Sequence, residues 1–153
     1  MDLNKFSQRL KDLMEEDGIT RQELSLQIGT DRKCVRLWLE GKNYPQYKSL
    51  IKLAEYFHVR IDYLVGLEDY ILETDGQSVL SMRMEEVSLK FSAQIRDYMD
   101  KNHLTIYAIA KKLHIDQKAL KKWLVVGSIP ETATLIKLSK LTNISIHTLL
   151  GCE

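Results

Sequence analysis

The chain of 153 residues contains few of the residues that crosslink or interrupt a fold. It has only two cysteines, Cys34 and Cys152, so we expect neither a disulfide framework nor a thiolate metal cage. Seven glycines and two prolines leave few sharp turns, which favours helices over many short strands. Hydrophobic residues make up 44% and charged residues 28%, and this balance excludes collagen and intrinsic disorder.

Long apolar runs are also missing from the sequence. The longest unbroken apolar run is residues 106–110, whereas a helix that spans a bilayer needs about 20 apolar residues. The first residues, Met1 to Lys5, lack the apolar core of a secretory signal. We therefore expect a cytoplasmic protein without a membrane partner.

No group of residues with the spacing of a catalytic or metal site is found. The four histidines are scattered, and neither a glycine-rich phosphate loop nor a cysteine–histidine arrangement occurs. We expect no enzyme activity, no cofactor, no metal and no small-molecule substrate.

The charged residues are unevenly distributed along the chain. The 22 basic and 21 acidic side chains nearly cancel in total, but residues 1–66 carry +1, residues 67–90 carry −4 and residues 91–153 carry +4. Acidic residues are therefore concentrated between two halves. Because salt limits the reach of a charge to about 8–10 Å, a locally positive surface can still bind phosphate.

The two halves of the chain repeat one sequence pattern. A shift of 85 residues aligns residues 6–66 with residues 91–151 without a gap, and more than a quarter of the aligned positions are identical. Chance would hardly keep both tryptophans and both prolines in register. We therefore predict two copies of one domain of about 60 residues. The identical pairs include Phe6/Phe91, Ser7/Ser92, Met14/Met99, Thr20/Thr105, Asp31/Asp116, Lys33/Lys118, Trp38/Trp123, Leu39/Leu124, Pro45/Pro130, Leu64/Leu149, Gly66/Gly151 and the Leu-Ile-Lys-Leu blocks at 50–53 and 135–138.

Apolar periodicity and capping residues predict five short helices in each copy. The second helix opens with the capping box from Thr20 to Glu23 and stops at Gly29. The third helix opens at Asp31, and a fourth follows Pro45. A short fifth helix spans about Ile61 to Leu64. The expected buried sides are Phe6, Leu10, Leu13 and Met14 on the first helix, with Phe91, Ile95, Tyr98 and Met99 in the second copy, and Val35, Trp38 and Leu39 on the third helix.

A capped helix, a glycine turn and a second capped helix with a basic outer face form a helix-turn-helix. The first copy resembles the lambda repressor and Cro family, also called the xenobiotic-response-element type, in residues 19–29, 31–38, Gly41, Pro45, 53–54 and 62–66. The second copy is similar, but Ile106 replaces a usual polar residue, His114 replaces the turn glycine, and Gly127 is displaced by one position. The resemblance implies an all-α fold of two tandem five-helix lambda-repressor-like DNA-binding domains joined by an acidic linker.

The resemblance also implies that the third helix reads base edges, while the start of the second helix and the loop after the third hold phosphates. Arginine presents a planar fork suited to guanine, and the exposed side of the third helix is basic. We predict base contacts by Arg32, Lys33 and Arg36 and, in the second copy, by Gln117, Lys118 and Lys121. We predict phosphate contacts by Arg21, Lys42, Asn43, Tyr107, Lys122 and Ser128. Residues 101–130 carry six lysines and no arginine, which favours phosphate binding over base reading in the second copy.

The predicted boundaries place one domain at residues 1–68, a linker at 69–87 and the divergent domain at 88–153. Two interpretations of the linker stay open. The dipeptide Asp75-Gly76 favours a hairpin between residues 70–74 and 77–82. Alternatively, a turn precedes a helix from about Ser88, with Val79, Leu80, Met82, Met84 and Val87 packing on a domain or on a second chain.

These observations predict a sequence-specific DNA-binding transcriptional regulator, a repressor of bacterial, phage or mobile-element origin. Its expected partners are double-stranded DNA and a second copy of the chain. The alternative is an antitoxin or adaptor in which the second domain serves dimerisation or protein docking. Ile106 and the altered turn of the second copy favour that alternative.

Overall fold

The computed structural model describes residues 3–69 and 84–152 of the chain. The chain divides into two compact units, Met1–Val79 and Leu80–Glu153. The described residues form ten α-helices and one π-helical segment, and no strand occurs among them. This confirms the predicted all-α, two-domain fold. No helix within the described ranges is long and apolar enough to cross a membrane.

The first domain contains five α-helices, as the sequence predicted. The short fifth helix has the predicted bounds. Its first residue, Ile61, is fully buried and anchors it. The helices are α1 (Leu3–Asp17), α2 (Arg21–Ile28), α3 (Arg32–Leu39), α4 (Tyr47–Phe57) and α5 (Ile61–Leu64).

Local hydrogen bonds begin and end the helices that matter for the site. The Thr20 hydroxyl accepts from the Glu23 N–H at 3.2 Å, and the Asp31 carboxylate accepts from the Lys33 N–H at 3.1 Å. Both side chains satisfy donors that the first turn of a helix leaves free. Gly29 ends α2 in the left-handed region at φ 74°, so the chain turns sharply into α3. The predicted caps Thr20, Asp31 and Gly29 are therefore confirmed, and of the capping box the structure shows the bond to the Thr20 hydroxyl.

The core of the first domain is the apolar side of these helices. Phe6 and Leu10 of α1 are fully buried, and Trp38 of α3 is 4% exposed. Trp38 is thus the predicted core anchor. Leu39, predicted on the buried side of this helix, is half-buried, and it is the last residue of α3, next to the loop.

The second domain repeats this arrangement with one added element. Phe91, Ile95 and Trp123 occupy the core positions, and Trp123 is 4% exposed. The elements are α6 (Met84–Lys101), α7 (Ile106–Leu113), α8 (Gln117–Lys121), a π-helical segment (Lys122–Val126), α9 (Thr132–Thr142) and α10 (Ile146–Leu149).

Helix α6 begins at Met84, four residues before the predicted start at Ser88. The last four residues of the predicted linker, 84–87, are therefore helical. Val87 is fully buried, which extends the apolar side of α6 one turn beyond Phe91. The hairpin proposed for residues 70–82 and the packing of Val79, Leu80 and Met82 lie outside the described residues.

The π-helical segment explains why Gly127 is displaced by one position. A π-turn closes over five residues instead of four, so it accommodates one extra residue before the helix stops. Gly127 ends the segment at φ 78°. The Ser7 hydroxyl donates to the Leu39 carbonyl at 2.6 Å, whereas its counterpart Ser92 donates to the Trp123 carbonyl, one aligned position earlier. The two domains therefore differ at the end of the third helix.

The histidine that replaces the turn glycine keeps the geometry of the turn. His114 ends α7 in the left-handed region at φ 56°, as Gly29 ends α2. The Thr105 hydroxyl caps α7 and the Asp116 carboxylate caps α8, as Thr20 and Asp31 do in the first domain. The second domain therefore keeps the helix-turn-helix backbone despite this substitution.

Candidate nucleic-acid interface

A groove on the surface of the first domain brings together four cationic side chains. Arg21 is the first residue of α2, and Arg32, Lys33 and Arg36 belong to α3. The groove has a volume of about 400 Å³, and these four residues line it. All four are exposed. The structure thus assembles the three predicted base-contacting residues with one predicted phosphate-contacting residue.

The amphipathic character of α3 holds these side chains outward. Val35 and Trp38 are buried three residues apart, so they lie on the side of α3 that faces the core. Lys33 falls on the opposite side and Arg32 and Arg36 on the two flanks, and all three are exposed. Because α3 packs on both α1 and α2, its basic side is supported by the rest of the domain.

The remaining predicted phosphate contacts of the first domain lie outside this groove. Lys42 and Asn43 follow α3 and Gly41, and both are exposed but do not line the groove. The Lys42 N–H donates to the Leu37 carbonyl at 3.0 Å, so the backbone of this loop is tied to the end of α3. The loop therefore presents a cation and an amide beyond the end of the helix.

The second domain has a groove of about 550 Å³ at the equivalent place. Its lining includes four predicted contacts, Tyr107, Gln117, Lys118 and Lys121. Predicted contacts Lys122 and Ser128 do not line it; Lys122 is exposed and Ser128 is half-buried. The other lining residues are Ala110, Lys111, Ile115 and Asp116.

Lys111 is a lining residue that the sequence analysis did not assign to the site. It lies four residues after Tyr107 on α7, and residues at this spacing share one side of a helix. This spacing from Tyr107 is the feature of the sequence that could have indicated Lys111 as a lining residue. Without the packing of α7 against α8, however, Lys111 could not be distinguished from an ordinary solvated lysine.

The cationic side chains that line the two grooves form no ion pairs within the described parts of the chain. None of Arg21, Arg32, Lys33 and Arg36 forms an ion pair with a described residue. The same holds for the lining lysines of the second groove among the described residues. Unpaired, exposed cations attract polyanions, and the attraction weakens as salt increases.

Comparison with known proteins identifies the architecture of both domains. The helix-turn-helix family profile matches residues 10–64 and again residues 95–149. The chain belongs to the helix-turn-helix family, of the xenobiotic-response-element type. This family is a regulatory DNA-binding one. The two matches are 85 residues apart, which confirms the register of the repeat.

Two curated helix-turn-helix proteins are similar to half of the chain. The HTH-type transcriptional activator BcrR of Enterococcus faecalis is 32% identical over 78 residues, which are 50% of this chain and 38% of BcrR. The uncharacterized HTH-type transcriptional regulator YqaE of Bacillus subtilis is 27% identical over 78 residues, 50% of this chain and 67% of YqaE. The match thus spans well under half the length of BcrR. No solved structure matches the chain significantly.

Within this helix-turn-helix protein, the family fold accounts for the geometry of the site. Helices α2 and α3 form the motif of the first domain, and α7 and α8 form that of the second. In each pair the turn contains a left-handed residue, Gly29 or His114. Among the described residues, no group of three potential metal-ligating side chains occurs.

Proposed function

We propose that the protein is a sequence-specific DNA-binding transcriptional regulator that acts in the cytoplasm. The observation that carries this proposal is the groove of the first domain, where four exposed cations, none of them paired with a described residue, line the motif helices α2 and α3. A rigid basic helix of this kind fits the major groove of DNA. Three of the four cations are arginines, whose planar fork can pair with guanine O6 and N7.

The proposed roles follow from the position of each side chain. Arg32, Lys33 and Arg36 point away from the core along α3 and contact base edges. Arg21, at the start of α2, and the Lys42-Asn43 pair, beyond the end of α3, contact phosphates on either side. The corresponding residues of the second domain are Gln117, Lys118 and Lys121 for bases and Tyr107, Lys122 and Ser128 for phosphates.

We propose that the protein regulates by occupying its site and that it represses transcription. Two linked DNA-binding domains raise the effective concentration of the second once the first is bound. BcrR is named an activator, so the sign of regulation needs its own measurement. A promoter–reporter strain carrying the bound site should lose expression when the protein is produced. A gain of expression would show activation instead.

The experiment that tests the main proposal begins with selection of bound duplexes from a random pool by the full chain. Affinity is then measured on the recovered duplex and on a shuffled duplex. Replacing Arg32 or Arg36 by Ala should cost about 1–3 kcal/mol on the recovered duplex and relax the preference at one base pair. Lys42→Ala should weaken both duplexes alike, and Lys11→Ala, an exposed change on α1, should weaken neither. Equal losses on both duplexes for the arginine variants would contradict the base-reading role.

A second candidate function is an antitoxin or adaptor whose second domain binds a second copy of the chain. Val125 and Val126 favour it, because they are 79% and 76% exposed where the first domain has Glu40 and Gly41. Exposed apolar groups of this size often mark protein contacts. Sedimentation of the full chain should show a dimer that Val125→Ser with Val126→Ser dissociates. A monomer at all concentrations would rule this candidate out.

A further inference from the structure

The side chains at equivalent positions of the two grooves differ in charge and in chemical type. In the repeat register, Arg32 corresponds to Gln117, Arg36 to Lys121 and Arg21 to Ile106. Lys33 corresponds to Lys118 and is the one of the four whose residue type is kept, while Lys121 keeps the charge of Arg36 but not its guanidinium. Among the described residues, the groove of the first domain is lined by three arginines and one lysine, whereas the second is lined by three lysines and no arginine.

This difference changes what each groove can recognise. A guanidinium is a rigid planar fork that can donate two parallel hydrogen bonds to one guanine. A lysine ammonium is a compact, strongly hydrated charge on a flexible stem, and it interacts with phosphate as a point charge. The third lysine of the second groove, Lys111, occupies the position of Leu26, which is 73% exposed in the first domain. The lining of the second groove has therefore lost the guanidinium forks, and it contains three cations and Asp116 where the first contains four cations.

The surroundings of the second groove differ in the same direction. The residues that correspond to Lys42 and Asn43 are Gly127 and Ser128, so the loop after the third helix has lost its cation. Lys112 and Lys122 are exposed near the groove on α7 and on the π-helical segment. The charge of this domain is thus concentrated on the helices and not on the loop.

We infer that the two domains divide the work of DNA binding. The first domain sets the sequence preference, and the second contributes phosphate contacts that strengthen binding to every sequence by a similar factor. This inference rests on the proposed DNA-binding function. It reassigns Lys118 and Lys121 from base contacts to phosphate contacts and leaves Gln117 as the one lining side chain whose amide could pair with a base edge.

The expected size of the effect follows from counterion release. Each phosphate contact contributes about 0.9 to the slope of log affinity against log salt, which corresponds to about fivefold in affinity at 0.15 M salt. Loss of the three lining lysines should therefore reduce the slope by about 3 and the affinity on the order of 100-fold. The ratio of affinities for preferred and shuffled DNA should stay constant, because phosphates are the same in both.

The test compares two sets of variants in the full chain. One variant combines Lys111→Gln, Lys118→Gln and Lys121→Gln. The matched variant combines Arg32→Lys with Arg36→Lys, which keeps the charge of the first groove but removes its forks. All five residues are exposed, so the fold should persist, and circular dichroism checks this. The probes are the duplex that the wild-type chain selects from a random pool and a shuffled duplex of the same length and composition, each titrated at several salt concentrations.

The lysine variant should lose affinity by the same factor on both duplexes and should select the wild-type motif. The arginine variant should keep the salt slope but lose the difference between the two duplexes. Gln117→Ala is the most stringent single test of the inference, because the Gln117 amide could pair with a base edge. It should leave every position of the selected motif intact. Loss of a motif position with Gln117→Ala or with the lysine variant would overturn the inference, as would unchanged affinity of the lysine variant.

Failure of the underlying function gives a different result. A wild-type chain that binds preferred and shuffled DNA equally, or binds neither, would refute the proposed function and the base-reading role of the first domain together. A wild-type chain with a clear motif whose positions depend on both grooves would retain the proposed function and refute only the division between the domains.

Discussion

Arg9 connects the first helix of the first domain to its C-terminal end, and its replacement by Met should destabilise that domain. Its guanidinium donates to the carbonyl of Tyr63, and to the Glu68 carbonyl at 2.6 Å. It also lies 4.2 Å from the centre of the Tyr63 ring. The side chain is 15% exposed, so water replaces these interactions poorly when they are lost. Arg9→Met removes the charge and keeps the apolar stem.

The magnitude can be estimated from the individual contacts. A hydrogen bond from a charged group contributes about 1.5–3 kcal/mol, and a partly exposed cation–π contact about 0.5–1 kcal/mol. The ion pair with Asp69, at 3.7 Å, adds little because the Asp69 side chain is 78% exposed. Two hydrogen bonds share one side chain and are not additive. We therefore expect a loss of about 2–4 kcal/mol in the free energy of unfolding.

The chain contains a matched control at the equivalent position of the second domain. Gln94 donates to the Thr148 carbonyl at 3.4 Å, a long and neutral hydrogen bond. Gln94→Met should cost about 0.5 kcal/mol, at the lower limit for such a bond. The comparison therefore separates the effect of the charged contacts from the effect of placing Met on the first helix.

Tryptophan fluorescence can follow each domain separately, because each contains one buried tryptophan, Trp38 or Trp123. Urea unfolding of Arg9→Met is measured in a Trp123→Phe background and that of Gln94→Met in a Trp38→Phe background, each against its own parent. A loss below about 1 kcal/mol for Arg9→Met, or a loss no larger than that of Gln94→Met, would refute the reasoning.

Three further sets of variants give equally specific results. Asp31→Asn should keep the cap of α3 and leave thermal stability unchanged, and it should raise affinity for every duplex because it removes an anion beside the groove. Asp31→Ala, which removes the cap, should cost about 1 kcal/mol of stability in calorimetry. Both Gly29 and His114 have left-handed backbones, which glycine adopts more easily than other residues. In urea titrations, Gly29→Ala should therefore destabilise the first domain by about 1 kcal/mol, and His114→Gly should stabilise the second by about 0.5–1 kcal/mol. Gln117→Arg with Lys121→Arg should add base preferences to the motif selected by the chain, and an unchanged motif would count against the role given to the forks.

The local features of the fold could be predicted from the sequence because they depend on neighbouring residues. Thr20, Asp31 and Gly29 are caps whose partners lie within a few residues, and the structure confirms each of them. The start of α6 was predicted four residues late at Ser88. Val87 is fully buried, so the apolar side of α6 already begins before Ser88.

The features that could not be predicted depend on distant residues or on an unusual backbone. The partners of Arg9 are 54 and 59 residues away, so no local pattern indicates them. The π-helical segment leaves the positions of Trp123 and Pro130 in register and shows in the sequence only as a glycine displaced by one residue. The lining role of Lys111 required the packing of α7 against α8.

The repeat shows which positions serve the fold and which serve the grooves. Pairs that are fully buried in both domains stay apolar, either identical, as with Phe6 and Phe91, or aliphatic in both, as with Leu10 and Ile95, because a small core tolerates little change in volume. Most pairs that line the grooves differ, as with Arg32 and Gln117, whereas Lys33 and Lys118 are the same. Since exposed side chains contribute little to stability, the grooves can change their chemistry without loss of the fold. The difference between three arginines and three lysines is therefore not dictated by the fold, and its physical effect must appear in binding.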